Sequence, residues 1–209
     1  MKRQTGRNLY LLLLIPAFAA FGAGNGKPMA PADTHPAITV MKNQRVLVVT
    51  LTGDPGKVAD KAMKILFGAF FRNATEAEKN APIIPRVRWS FSPLDARKRD
   101  WIGNYALPVS DAFPDPKDGQ ARVEEWRYGL VAEILHRGPY ENESRSIDAL
   151  KDYIAANGFT IAGDFEEEYL QGRGTLYEGK PEGYLTVLRY RIENIQDFPR
   201  NSIPLTSLP

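Results

Sequence analysis

The sequence predicts an α+β domain in which a βαββ unit occurs twice, its two curved antiparallel sheets facing a shared central groove with the helices packed outside. Two observations lead there. Short apolar runs bounded by Gly, Pro and Asp alternate with longer stretches of helical spacing, in the order β-α-β-β and then β-α-β-β again. The residues that close the first strand and open its helix, Leu51 and Pro55, recur as Leu135 and Pro139, in both cases 84 residues later. Each element has one apolar side to bury, and a cleft between paired units is a natural ligand site.

The folded part begins near Ile38. Its first clear element, Arg45 to Leu51 (RVLVVTL), is β-branched, apolar and too short for a helix, as a buried strand requires. Gly53 to Gly56 end it, with Asp54 placed as an N-cap and Pro55 as the first helical residue. Val58, Ala62, Ile65, Leu66, Ala69 and Phe70 then recur at helical spacing, so an amphipathic helix should run to Arg72 or Asn73. Two strands follow, Arg86 to Phe91 and Trp101 to Val109, separated by a turn through Pro93 and Asp95.

The second unit opens with a strand from Trp126 to Leu135 and a turn at Gly138 and Pro139. A helix from about Asn142 to Asn157 carries its stripe on Ile147, Leu150 and Ile154, and Gly158 stands where a C′ glycine closes a helix. Strands at Phe165 to Leu170 and Leu185 to Ile192 complete the unit.

Charge and composition exclude several classes of function. The 27 basic and 25 acidic residues leave a formal charge of +2, too small a field to recruit nucleic acid. Without cysteine there is no disulfide and no thiolate nucleophile, and two histidines without ligand spacing, His35 and His136, make no metal site. No nucleophile-elbow, phosphate-loop or dinucleotide motif occurs, and nothing calls for a cofactor.

The N-terminus points to export. Lys2, Arg3 and Arg7 precede an apolar stretch from Leu9 to Ile15, Pro16 interrupts it, and small residues follow to Gly24. Residues 1–24 are therefore read as a signal peptide, with Ala17 and Ala19 at the small positions before a cleavage at Ala20, or as an uncleaved anchor holding the chain to a membrane through residues 9–24. Either reading places the domain outside the cytoplasm. Residues 25–37 read as a flexible spacer, 38–197 as the domain and 198–209 as an irregular tail.

From Trp126 onward the residues resemble a known family. The strand with Tyr128-Gly129, the His136-Arg137-Gly138-Pro139-Tyr140 turn, the helix closing at Gly158 and the strand Phe165-Glu166-Glu167-Glu168-Tyr169-Leu170 are similar to the GyrI-like small-molecule-binding domain, also called the AraC-type or bacterial effector-binding domain. The match covers the last third of the chain, while residues 38–110 fit in element order alone. The resemblance implies two βαββ units around a groove that takes small lipophilic, often aromatic or cationic, molecules, with a carboxylate and nearby tyrosines holding the ligand. By motif position that carboxylate is Glu167.

Strand geometry puts Phe165, Glu167 and Tyr169 on one face and Glu166 and Glu168 on the other. A carboxylate beside aromatic faces in a dry cleft stabilises an organic cation by charge and by cation–π contact. The candidate ligand-binding residues are accordingly Glu167, Tyr169, Tyr140, Trp126, Tyr128, Trp89, Phe91 and Tyr105. The competing reading of three successive glutamates is a solvated edge strand.

Three functions remain in view. The first is non-catalytic binding of a small lipophilic or cationic molecule. The second is a hydrolase in which Glu167 is general base toward water and Tyr140 or Tyr169 donates a hydrogen bond. The third is a protein-interaction module using strand edges or the groove. An open aromatic groove over Glu167 is expected of the first two, a filled groove of the third.

Overall fold

The computed structural model describes residues 35–90, 97–117, 119–173 and 179–195. Residues 1–24, expected to direct export, nearly all of the expected spacer, Phe91 with its turn, and the tail lie outside the described residues. Eight strands form one antiparallel sheet: β1 (Ala37–Met41), β2 (Gln44–Thr52), β3 (Arg86–Trp89), β4 (Ile102–Pro108), β5 (Arg122–Trp126), β6 (Gly129–Arg137), β7 (Phe159–Gln171) and β8 (Leu185–Asn194), in the order β1-β6-β8-β7-β3-β4-β2-β5.

That order makes the duplication visible. β2, β3 and β4 with helix α1 (Pro55–Asn73) form one βαββ unit, and β6, β7 and β8 with the helix Ser144–Ala156 form the other. Between the units lies a one-turn helix, Glu76–Lys79; it is α2, and Ser144–Ala156 is α3. The units meet where β3 pairs with β7. The strands that sequence periodicity does not foresee, β1 and β5, cross over: β1 pairs with β6 of the second unit, and β5 with β2 of the first.

The crossing is one continuous antiparallel ladder, running from Ala37↔Glu133 through Met41↔Gly129 and Gln44↔Trp126 to Val48↔Arg122. Two-residue links, 42–43 and 127–128, join strands near opposite ends of the sheet order, so the open sheet must curve enough to bring those strand ends within the reach of two residues. Gly129, at φ 78, supplies the backbone conformation that bends the second of these long strands. The run expected from Trp126 to Leu135 is thus broken at Arg127 and Tyr128.

Both long helices pack on one face. Ala62, Met63, Leu66, Ala69 and Phe70 of α1 and Ile147, Leu150 and Ile154 of α3 are buried in one cluster with Leu47, Val49, Val87, Leu107, Ala132, Ile134 and Leu188. Burying each large aliphatic side chain of that set contributes roughly 1.5–3 kcal/mol. Asp54 caps α1 by accepting from the Gly56 amide at 3.0 Å, and Gly158 follows α3 at φ 77. A 3₁₀ turn, Tyr140–Asn142, precedes α3. Among the described residues no helix is long and apolar enough to cross a membrane.

One detail of the sequence repeat is corrected. β2 and β6 are both nine residues long and end at Thr52 and Arg137, so Leu51 is equivalent to His136. Leu135 points to the other face, because a slip of one residue in a strand reverses every side chain.

Candidate functional site

Three successive glutamates lie in the middle of β7, which is flanked by β8 and β3 and is not an edge. The solvated-edge reading is therefore overturned. Register then decides what each carboxylate meets: Glu166 stands opposite Arg88 and Arg189, Glu168 opposite Arg86, and Glu167 opposite Val87 and Leu188.

On the face without helices the charges are matched. Glu166, 2% exposed, accepts from Arg88 Nε at 2.8 Å, Arg189 Nη1 at 2.7 Å and the Tyr128 hydroxyl at 3.1 Å. Arg189 also pairs with Glu168 at 3.0 Å and Glu133 at 2.8 Å, and Arg86 lies 3.3 Å from Glu168. Burial pushes the Glu168 carboxyl upward, but Arg86 and Arg189 outweigh it and hold the group below its ordinary value. The Arg88 guanidinium stacks 4.1 Å from the Trp126 ring and 4.6 Å from the Tyr128 ring. Beside this network lies an open cleft of about 750 Å³ whose wall includes Arg88, Arg127, Tyr128, Asp164, Arg189 and Arg191.

The helix-covered face is different. Glu167, 9% exposed, accepts a short hydrogen bond from the Tyr169 hydroxyl. Another polar neighbour is Glu143, a buried acid at the N-cap of α3. Among the described residues neither carboxyl has a salt bridge. Burial pushes Glu167 up to about 7, in spite of the stabilising contacts from Tyr169, Trp89 and Glu143. Glu143 is raised well above its ordinary value, by burial first and then by the negative charge of Glu167. The Tyr169 hydroxyl is raised strongly for the same two reasons.

Aromatic rings wall the pair. Trp89 and Tyr105 meet edge to face at 5.9 Å, and Tyr140 lies 5.5 Å from Tyr169 and 5.1 Å from Tyr184. Two glycines admit them. A Cβ on Gly103 would stand 2.7 Å from Tyr105 and 2.9 Å from Trp89, and one on Gly172 would stand 2.3 Å from the Tyr140 hydroxyl. Four buried polar atoms on this face, Trp89 Nε1, Tyr105 Oη, Glu143 Oε1 and Thr186 Oγ1, lack a hydrogen-bond partner. Trp89 Nε1 is near enough to favour ionised Glu167, and Thr186 Oγ1 ionised Glu143, but both stand outside hydrogen-bond geometry. Trp89 also lines a cleft of about 240 Å³ together with Lys151 of α3 and Asp164 and Phe165 of β7.

The structure thus divides the residues expected at the site. Glu167, Tyr169, Tyr140, Trp89 and Tyr105 come together on the helix-covered face; Trp126 and Tyr128 lie on the opposite face beside Arg88. The groove over Glu167 is closed, as the protein-interaction reading expected and the binding and hydrolase readings did not, yet what fills it includes unpaired polar atoms as well as apolar side chains. His136, on the same face, is engaged through Nδ1 with Ser146 at 3.0 Å and through Nε2 with the Pro139 carbonyl at 3.3 Å. Among the described residues no cluster could hold a metal ion.

Sequence reasoning missed Glu143, because an acid in a first helical turn reads as a solvated partner of the helix dipole. It also missed the arginine network, for which a signal existed: Arg86 and Arg88 alternate in β3 with the same period as Glu166 and Glu168 in β7.

Solved structures share this fold. An uncharacterized conserved protein from Listeria innocua superposes with a TM-score of 0.63 at 18% identity, and a hydrolase from the same organism with 0.61 at 16%, each over 77% of this chain and 93% of theirs. The C-terminal domain of EcmrR superposes with a TM-score of 0.60 at 12% identity, over 77% of this chain and 98% of the domain. At such identities the likeness is one of fold. No protein-family model and no curated protein sequence matches the chain.

Proposed function

We propose that the chain is a GyrI-like effector-binding domain that holds a small lipophilic organic cation at Glu167. One observation carries this reading: a carboxylate buried against aromatic rings, beside a second buried acid and lacking a cation, on a strand whose other glutamates are fully paired. Such an arrangement costs stability in the unliganded protein, and an aromatic cation entering it supplies both the missing charge and ring contacts. The fold shared with the EcmrR C-terminal domain supports the family resemblance. Trp89, which lines the cleft of about 240 Å³ and packs on Tyr105, joins that cleft to the buried aromatic cluster.

The direct test is calorimetric titration with benzyltrimethylammonium, a permanent cation, against its neutral isostere neopentylbenzene. The cation should bind and the isostere should not. Equal binding of the two, or binding of neither, overturns the reading.

The raised Glu167 carboxyl also favours hydrolysis as a second reading, since a group titrating at about 7 is matched to general-base work near neutral pH, with Tyr169 or Tyr140 as hydrogen-bond donor. Turnover of activated esters or epoxides that is lost in Glu167→Gln would support it. As to setting, we propose export, supported by Lys2, Arg3 and Arg7 ahead of the apolar run Leu9 to Ile15. A full-length soluble protein in the cytoplasmic fraction of the native host would overturn that.

A further inference from the structure

Glu167 and Glu143 meet in unequal surroundings. Glu167 accepts from the Tyr169 hydroxyl and has the Trp89 N–H close by, and both favour its anion. Glu143 has one oxygen without a donor, and its charged neighbours, Glu167 and Glu141, are both acids; the Thr186 hydroxyl alone favours its ionised form. The other groups facing the pair change nothing in this asymmetry. Tyr105 on β4 and Tyr169 on β7 are both raised by burial and by Glu167, which keeps them neutral. Both ring nitrogens of His136 on β6 are engaged. The Tyr140 hydroxyl donates to the Arg173 carbonyl, and the Arg173 guanidinium is paired with Asp60 of α1 at 2.7 Å.

Two neighbouring carboxylates buried away from water do not both ionise. We infer that Glu143 remains a protonated acid donating to Glu167, so that the pair carries one negative charge, accepts a ligand of one positive charge, and exchanges that ligand for one proton whenever Glu167 is itself protonated. This rests on the cation reading of the site and adds a role for Glu143, a residue that the family resemblance does not bring in.

The bookkeeping of charge is simple. Below about pH 7 Glu167 is neutral, so an entering monocation sends its proton to solvent; above that it is already ionised and nothing is released. Glu143 keeps its proton in both cases. A dication would have to expel the second proton and leave two like charges in contact, so the site discriminates by charge number as well as by shape.

The experiment is calorimetry with benzyltrimethylammonium near pH 6 and near pH 8, in buffers of different ionisation enthalpy, on the parent, Glu143→Gln and Glu167→Gln. The parent should release about one proton near pH 6 and about none near pH 8, with affinity about tenfold higher at the upper pH. Glu143→Gln, which copies a protonated acid, should stay within about threefold of the parent, while Glu167→Gln should lose about tenfold or more. The dication 1,4-bis(trimethylammoniomethyl)benzene should bind no better than the monocation.

Equal losses in the two variants, tighter binding of the dication, or no proton release near pH 6 each overturn the division of roles while leaving cation binding standing. A parent that binds no monocation at either pH removes the cation reading and this inference with it. If Glu143→Gln fails to fold, the parent's proton count decides alone.

Discussion

Glu167 and its neighbours Glu166 and Glu168 differ by one residue in sequence and by everything in environment. Glu166 and Glu168 face Arg86, Arg88 and Arg189 and are paired with them inside a matched network; Glu167 faces Glu143 and aromatic rings, and burial raises its carboxyl to about 7. Burial is common to both faces. The difference teaches that depth alone does not make a carboxyl reactive: the partner brought to it by the neighbouring strand decides whether it is a structural anion or a group poised to exchange its proton.

The largest expected effect is on the matched face. Arg189 touches Glu133, Glu166 and Glu168, so Arg189→Met leaves Glu133 without its cation and takes one of the arginines from each of the other two, and should cost about 3–5 kcal/mol in urea denaturation. A loss below about 1 kcal/mol would mean that water reaches the network and that the two faces are less different than they look.

Next comes an opposite response to pH. Glu167 ionises near its ordinary value of 4.5 when unfolded but at about 7 when folded, so the folded state binds more protons in that window and stability falls as pH rises through it, by up to about 3 kcal/mol. Glu168, whose folded value is depressed, acts the other way, and its contribution is lost as pH falls through that value. Thermal melts from about pH 5 to pH 8 should therefore show Glu167→Gln gaining on the parent as pH rises and levelling off above about 7. A constant difference would contradict the raised carboxyl.

Ligand affinity sharpens the comparison further. Glu167→Gln should weaken binding of an aromatic monocation by about 1–3 kcal/mol with little loss of fold. Glu168→Gln should do the reverse, leaving affinity unchanged while lowering stability through its loosened hold on Arg86 and Arg189. The smallest effect belongs to the Arg88 stack: Trp126→Leu should cost about 0.5–2 kcal/mol of stability and nothing in cation affinity.

What the sequence by itself determined is local. The helix from Pro55 with its Asp54 cap, the stripe of Ile147, Leu150 and Ile154, the glycine after α3, the order β-α-β-β twice, and the alternation of Glu167 against Glu166 and Glu168 all follow from periodicity and backbone preference within a few residues. What stood opposite each of those side chains was decided only in three dimensions. That β7 is central, that β1 and β5 cross to the other unit, that Arg86 and Arg88 of the first unit and Arg189 of the second converge on two glutamates, and that Glu143 leaves the surface for Glu167 are all matters of strand register and helix docking. Alternation tells which way a side chain points; the energy of long-range packing chooses the register, and with it whether a buried acid finds an arginine or another acid.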